Sequence, residues 1–191
     1  FNREKNLIEA IKSILKNNFN EYEIIVVDDG STDNTKEKVK NLNSEKINYF
    51  WIKNSERGAA RNFGAKKARG LYLNFFDSDD ILYDNHLESA ASIIKSNNKN
   101  EIFHLSYEIL DQKTGKKKKI INNGNTNKKI LSGNSISCNS LFLKKNIFNE
   151  FKFDENRNLS GSEDWDLWLR LSRYHKIYNY SIVTSMIVNH Q

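Results

Sequence analysis

Twice near its start the chain runs an apolar stretch straight into acids: Tyr22 to Val27 ends in Asp28-Asp29-Gly30, and Leu71 to Phe76 ends in Asp77-Ser78-Asp79-Asp80. A short β-branched or aromatic run that stops at a charged loop is how a buried parallel strand terminates. Helical spacing surrounds these runs. Leu7, Ile8, Ile11, Ile14 and Leu15 define an amphipathic helix over residues 3–17, and Ser31, Thr32 and Asp33 offer caps for a helix through Leu42. Ile47 to Ile52 reads as a strand, Ala59 to Ala68 as a small-residue helix and Asn85 to Ser96 as the next helix. Strands and helices thus alternate over residues 1–100, which predicts a doubly wound α/β sheet with ligands at the carboxyl ends of its strands.

The second half is less regular. Ile102 to Leu110 and Lys118 to Ile121 read as a hairpin around Lys113-Thr114-Gly115, Ser137 to Leu143 as a strand, Glu163 to Tyr174 as a helix and Ile177 to Val188 as a final strand region. A chain of 191 residues fits one domain with a substantial core and leaves no room for a large second module.

Three carboxylates within four residues at a sheet edge call for a cation. Asp77 and Asp79 can converge on Mg²⁺ or Mn²⁺, which, held by one or two carboxylates, keeps its other positions for water and substrate phosphates. A diphosphate-bearing ligand is the first expectation. The plainer alternative is a solvated turn in which Asp80 or Asp84 caps the following helix. An EF-hand loop fails, because Leu82 stands where the sharp turn requires Gly and Ile81 where an oxygen ligand is needed.

The lone cysteine, Cys138, excludes an internal disulfide and a cysteine-based zinc site, and reads as a small buried apolar residue. No apolar run approaches the ~20 residues that span a bilayer, and no signal peptide precedes the fold, so a soluble, cytoplasmic protein is expected. The net charge of +6 owes much to the run Lys116 to Lys119. That run reads as a solvated hairpin arm, with peripheral contact to anionic lipid or phosphate as the functional alternative. Nucleic acid is not an expected partner, since the basic residues are not interleaved with aromatics in an RNA-binding motif.

Four motifs in order, VVDDGSTDNT at 26–35, ARNFGAKKARG at 60–70, NFFDSDD at 74–80 and SEDWDLWLRL at 162–171, resemble the family 2 glycosyltransferases, which have the GT-A fold. The resemblance covers nearly the whole chain. It implies an inverting hexosyl- or N-acetylhexosaminyltransferase that takes a nucleotide-sugar donor, most often a UDP-sugar, to a glycan or lipid-linked acceptor, with Mn²⁺ or Mg²⁺ on the diphosphate. Residues 1–100 would form the nucleotide-sugar half and 101–191 the acceptor half, acceptor choice resting on 111–139. Asp29 matches the acid that reads the donor base, and Arg61 a basic residue close to the nucleotide. Asp77 and Asp79 match the DxD motif, Asp79 as direct metal ligand and Asp77 shared between ribose and a metal-bound water. Asp164 matches the acceptor-activating base, and His190 a histidine that completes the metal or diphosphate site in some members.

Each residue also has a structural reading. Asp28 and Asp29 can cap the next helix, Arg61 can pair with an acid on its own helix, and His190 can be structural. Glu163 and Asp164 suit a helix N-terminus whatever the chemistry. Trp165, Trp168 and Leu169 suit a core, although Trp165 can also stack on a sugar. Family members normally begin with an apolar strand that lies inside the sheet, whereas this chain starts at Phe1-Asn2. The resemblance therefore implies that the first strand is missing from this chain, that the protein extends upstream and that strand edges are left unpaired. Gly58 lies closer to Arg61 than the family pattern places it, which leaves contacts from residues 54–58 open. The rivals are a nucleotidyltransferase, whose glycine-rich basic phosphate loop the first residues lack, and a non-catalytic sugar-nucleotide or glycan-binding module, against which retention of both DxD and Glu163-Asp164 argues. A P-loop motif and a Gly-x-Ser-x-Gly elbow are both absent from the sequence.

Overall fold

The structure, a computed structural model, describes residues 1–96, 100–122, 125–159 and 161–190. Helix α1 (Glu4–Leu15) turns Leu7, Ile8, Ile11 and Ile14 onto one face, which closes over Ile24 and Val26 of β1 (Ile24–Asp29). Val39 of α2 (Thr35–Lys40) and Ile47 and Tyr49 of β2 (Ile47–Ile52) complete that cluster. β1 and β2 pair in parallel, Ile24 opposite Ile47 and Asp29 opposite Ile52. Helix α3 (Glu56–Lys67) reaches this pair through its small residues: a Cβ on Gly64 would stand 3.2 Å from Val27 Cγ2, so glycine lets the helix approach β1.

The chain continues through β3 (Tyr72–Asn74), β4 (Ile81–Leu82), α4 (His86–Ser96), β5 (Ile102–Asp111), β6 (Lys117–Ile120), α5 (Thr126–Lys129), β7 (Leu141–Lys144), α6 (Lys145–Phe151), α7 (Glu163–Ser172) and β8 (Tyr178–Asn189). These strands form a mixed sheet in the order β3-β7-β5-β8-β4, with β6 paired to β5. β5 and β8 run parallel, and the other pairs are antiparallel. Its main core joins Phe75, Phe148 of α6, Phe153, and Leu167, Trp168 and Leu171 of α7. A second cluster seats Ala90 and Ile93 of α4 on Phe103, Leu105 and Phe142.

The mixed α/β architecture is the expected one, and the strands divide into two sheets, in keeping with the unpaired strand edges that the resemblance implied. Among the described residues β1 pairs only with β2, and β3 pairs only with β7. Between them lies an apolar cavity of about 620 Å³ lined by Ile24, Val26, Leu73 and Ala90 among others. The predicted strand over 137–143 is also shorter. Residues 138–140 wind into a 3₁₀ turn, and β7 passes into α6 with no intervening loop, which hid that helix in the sequence. The short β4 and α5 were likewise not anticipated. The hairpin at 113–115 forms as read, closed by Gly115 N–H to Asp111 O at 2.8 Å, and β6 lies exposed. Cys138 and Trp168 are buried, and Trp165 and Leu169 pack half-buried against the same core. Among the described residues no helix is long and apolar enough to cross a membrane.

Candidate functional site

β3 ends at Asn74, which pairs opposite Phe142 and also donates from its side-chain Nδ2 to the carbonyls of Asn139 and Leu141 at 2.8 and 2.9 Å. Phe75 then turns into the core against Phe148 and Phe153, ring centroids 5.1 and 4.9 Å away. This anchors the emerging acidic loop. The Asp77 N–H donates to Asn139 Oδ1 at 3.0 Å, and the Asp80 N–H closes a turn on Asp77 O at 3.3 Å.

Arg61, on α3, joins the loop to the second half of the chain. Its Nη2 donates to Asp77 Oδ1 and its Nη1 to Glu163 Oε1, both at 2.7 Å. Glu163 opens α7 and is nearly fully buried; its other oxygen accepts the Gly161 N–H at 2.7 Å. The position of α3 is set from the other side. Asn62 Nδ2 donates to Phe153 O at 2.9 Å, and its Oδ1 accepts the Phe153 N–H at 3.0 Å. One turn earlier a Cβ on Gly58 would stand 2.5 Å from Asp154 O, so only glycine admits that close passage.

Asp164 follows Glu163 directly. Its Oδ1 accepts the Trp165 N–H at 2.7 Å and its Oδ2 the Asn134 amide at 3.2 Å. Burial lifts its carboxyl above the ordinary aspartate value, against the pull of these two hydrogen bonds and of the Arg61 cation. That makes it a better proton acceptor than a solvated aspartate. Asp166 bonds Arg170 one turn on, at 2.9 Å, and is committed to the helix surface. Beneath Arg61, burial pushes the Cys138 thiol up, which leaves it a neutral packing group.

Asp79 meets a different set of partners. Arg3 donates to its Oδ2, and His190 Nε2 lies 3.8 Å from the same oxygen. The His190 ring is held by Gln112 Oε1 at 2.7 Å from Nδ1. Asp79 thus already faces the Arg3 guanidinium and the His190 ring. Among the described residues no three or more His, Cys, Asp or Glu side chains cluster as a closed metal cage. The donor set fits Mg²⁺ or Mn²⁺ only as an ion that takes the rest of its shell from water or phosphate.

Asp29 stands apart from this group, at the carboxyl end of β1. Its two oxygens accept the Ser55 and Glu56 N–H groups at 2.6 and 3.1 Å, at the start of α3. It therefore caps a helix, though α3 and not the α2 that directly follows it. Asp28 is buried, holding the Ser31 N–H at 2.9 Å and the Tyr49 hydroxyl. Sequence reasoning thus named residues that the fold brings into two linked groups, Arg61 with Asp77 and the Glu163-Asp164 pair, and Asp79 with His190. Arg61 pairs with two acids from outside its own helix, Asp77 and Glu163.

Three contributors were not anticipated in their roles. Glu163 is a buried ion partner, a role that its place beside Asp164 did not reveal. Asp80 does not cap the following helix: burial pushes its carboxyl up to about 6, and it accepts hydrogen bonds from the Asn139 amide and from the Val188 N–H at 2.8 Å. Asn139 carries no sequence signal at all, because only the fold brings it to the loop.

A mixed α/β fold with an Asp-x-Asp loop at a strand end and a further acid at the start of a helix across from it defines a GT-A glycosyltransferase architecture. The backbone superposes on the crystal structure of residues 1–349 of S. aureus TarS in complex with UDP-GlcNAc with a TM-score of 0.81, at 22% identity, covering 100% of this chain and 57% of that one. The chain belongs to glycosyl transferase family 2, whose model matches residues 1–151. It is 36% identical over 178 residues to an uncharacterized glycosyltransferase of Rickettsia bellii, covering 90% of this chain and 25% of the relative. It is also 31% identical over 178 residues to the Escherichia coli UDP-Glc:alpha-D-GlcNAc-diphosphoundecaprenol beta-1,3-glucosyltransferase WfgD, covering 93% of this chain and 68% of that enzyme. A Campylobacter jejuni GalNAc(5)-diNAcBac-PP-undecaprenol beta-1,3-glucosyltransferase is 37% identical over 119 residues, 60% of this chain and 37% of that protein. The chain thus spans only about a quarter of the Rickettsia bellii relative.

Proposed function

We propose that this chain forms the donor- and acceptor-activating site of an inverting glycosyltransferase that moves a sugar from a UDP-sugar to a lipid-diphosphate-linked glycan. The observation that carries the reading is the Asp77–Arg61–Glu163 ion network, which ties the DxD loop to the helix start bearing Asp164. A UDP donor is favoured by the names of the Escherichia coli relative and of the TarS complex, and a lipid-linked acceptor by those of the two bacterial glucosyltransferases.

In this reading the Asp164 carboxylate accepts the proton of the acceptor hydroxyl as that oxygen attacks the anomeric carbon. The new glycosidic bond forms on the face opposite the departing nucleoside diphosphate, which leaves with the electron pair of the broken bond, so the anomeric centre inverts. Asn134 orients the base through Oδ2, leaving that oxygen's second lone pair for the acceptor. Asp29 retains lone pairs beyond its two backbone bonds and can accept a uracil N–H. Arg61 keeps Asp77 oriented toward the ribose and has further guanidinium N–H groups for the donor. Asp79 with His190, and Asp77 through water, would hold a Mn²⁺ or Mg²⁺ ion, which when bound supplies Lewis-acid neutralisation of the diphosphate. The Lys116–Lys119 arm would add contact with an anionic membrane.

A thermal-shift screen of UDP-, GDP- and dTDP-sugars with and without Mn²⁺ tests this, since a ligand bound only by the folded state raises its stability. The expected result is a shift with UDP-sugars that requires the metal and is lost in Asp79→Asn. A folded Asp79→Asn protein with unchanged metal-dependent binding would sink the DxD assignment.

A further inference from the structure

Asn139 is almost wholly buried, and its side-chain amide is used at both ends. Oδ1 accepts the Asp77 N–H at 3.0 Å, and Nδ2 donates to Asp80 Oδ2. The other Asp80 oxygen accepts the Val188 N–H at 2.8 Å, on β8, two residues before His190. One buried amide–carboxylate pair therefore touches the acidic loop on both sides of Asp79 and the strand that delivers His190. Asn74 adds a brace from below, its Nδ2 on Asn139 O and its Oδ1 3.3 Å from His86 Nε2.

The chemistry at position 139 is narrow. A backbone N–H needs an acceptor and a carboxylate needs a donor, and a primary amide offers both in one plane. A carboxylate there would face Asp80 with like charge, and an apolar isostere would leave the Asp77 N–H and an Asp80 oxygen buried without partners. We propose that Asn139 and Asp80 act as a positioning pair that fixes Asp77 and Asp79 relative to His190, and so sets the geometry in which a nucleoside diphosphate and its divalent ion are received. The assignment of the ligand rests on the function proposed above; the placement of the loop does not.

The two residues can exchange roles. When Asn139→Asp and Asp80→Asn are combined, the amide now at position 80 donates to the carboxylate now at position 139. The second oxygen of that carboxylate accepts the Asp77 N–H, and the amide oxygen at position 80 accepts the Val188 N–H, so every hydrogen bond is restored. The test compares both single variants, the exchange and the wild type by calorimetric titration with UDP in the presence of Mn²⁺, and by hydrogen exchange at the Asp77 and Val188 amides. Each single variant is expected to weaken UDP binding at least tenfold and to speed exchange at both amides. The exchanged protein should return to within about threefold of wild type in binding, with both amides protected again. A single variant that fails to fold, restored by the exchange, supports the pairing equally. Single variants with wild-type amide protection, or an exchange that restores neither protection nor folding, would overturn it. If the wild type binds no UDP with Mn²⁺, the ligand assignment fails, and the amide protection pattern still decides the positioning role.

Discussion

Arg61 and Glu163 meet from 102 residues apart, Nη1 to Oε1 at 2.7 Å, and only 5% of the Glu163 side chain is exposed. Removing one partner of a buried ion pair leaves an uncompensated charge and costs about 3–5 kcal/mol, whereas replacing both with apolar groups is often neutral. Arg61 keeps Asp77 as a partner, so Glu163→Ala is expected to lower the unfolding free energy by less than that, about 1.5–3 kcal/mol for a lost hydrogen bond between charged groups. Glu163→Met combined with Arg61→Met should regain most of it while losing transfer, because Asp77 then has no guanidinium to orient it. Urea unfolding beside a transfer assay separates the two. An unchanged midpoint in Glu163→Ala would show that the pair contributes nothing to stability.

Asp164 should be dispensable for folding and for donor affinity, since its role begins once the donor is bound. Asp164→Asn keeps the shape and removes the base, and a positioned general base contributes about 10²–10⁴-fold. Transfer should fall by at least that lower figure while UDP-sugar binding stays near wild type. Loss of donor binding instead would move Asp164 into the scaffold.

The same carboxylate should govern the acid limb of the rate profile. Burial raises its pKa, so protonation as pH falls will slow transfer at a higher pH than an ordinary aspartate would give. The Asn134 amide favours the charged form. Asn134→Ala should thus move the limb to still higher pH. A limb that stays in place or moves down would contradict that assignment.

Much of this was readable because the informative residues lie in local patterns. The runs ending at Asp29 and Asp77 announced strand ends, and the spacing of Leu7, Ile11 and Ile14 announced α1. The contacts that assemble the site were not readable, because they are long-range. Arg61 offered five N–H donors and no indication of which acids it would meet, and Asn139 reaches Asp77 from 62 residues away. Asp80 looked like a cap since a carboxylate before a helix usually is one; burial beneath β8 decides otherwise.

Two buried histidines give the fold a pH dependence of its own. His86 places Nδ1 2.9 Å from Thr184 Oγ1, and His104 accepts the Ser137 N–H on Nε2 at 3.2 Å. Burial lowers both from 6.5 to about 3. The unfolded chain therefore binds protons at these rings that the folded chain refuses. Their contribution to stability is complete above about pH 6.5 and is lost as pH falls toward 3, because the unfolded chain takes up the protons first. Unfolding midpoints measured between pH 7 and 4 should fall steeply. His86→Gln and His104→Gln should each flatten the curve, and an unaltered slope in both would place the protons elsewhere.

The β6 arm separates a membrane contact from a merely solvated hairpin. Lys116 to Lys119 are all exposed, and among the described residues β6 pairs only with β5. Lysines near an anionic surface contribute about 1 kcal/mol each, so four give up to roughly 10³-fold in binding, screened within a Debye length as salt rises. Sedimentation with phosphatidylserine-containing vesicles should show binding at low salt that weakens steeply at high salt. Replacing all four lysines by Ser should abolish it while leaving UDP-sugar binding unchanged, since β6 contributes no residue to the acidic loop or to Asp164. Binding that is absent at low salt, or that survives the fourfold replacement, would leave the arm a solvated edge strand, its charge serving only to keep that edge from pairing with another chain.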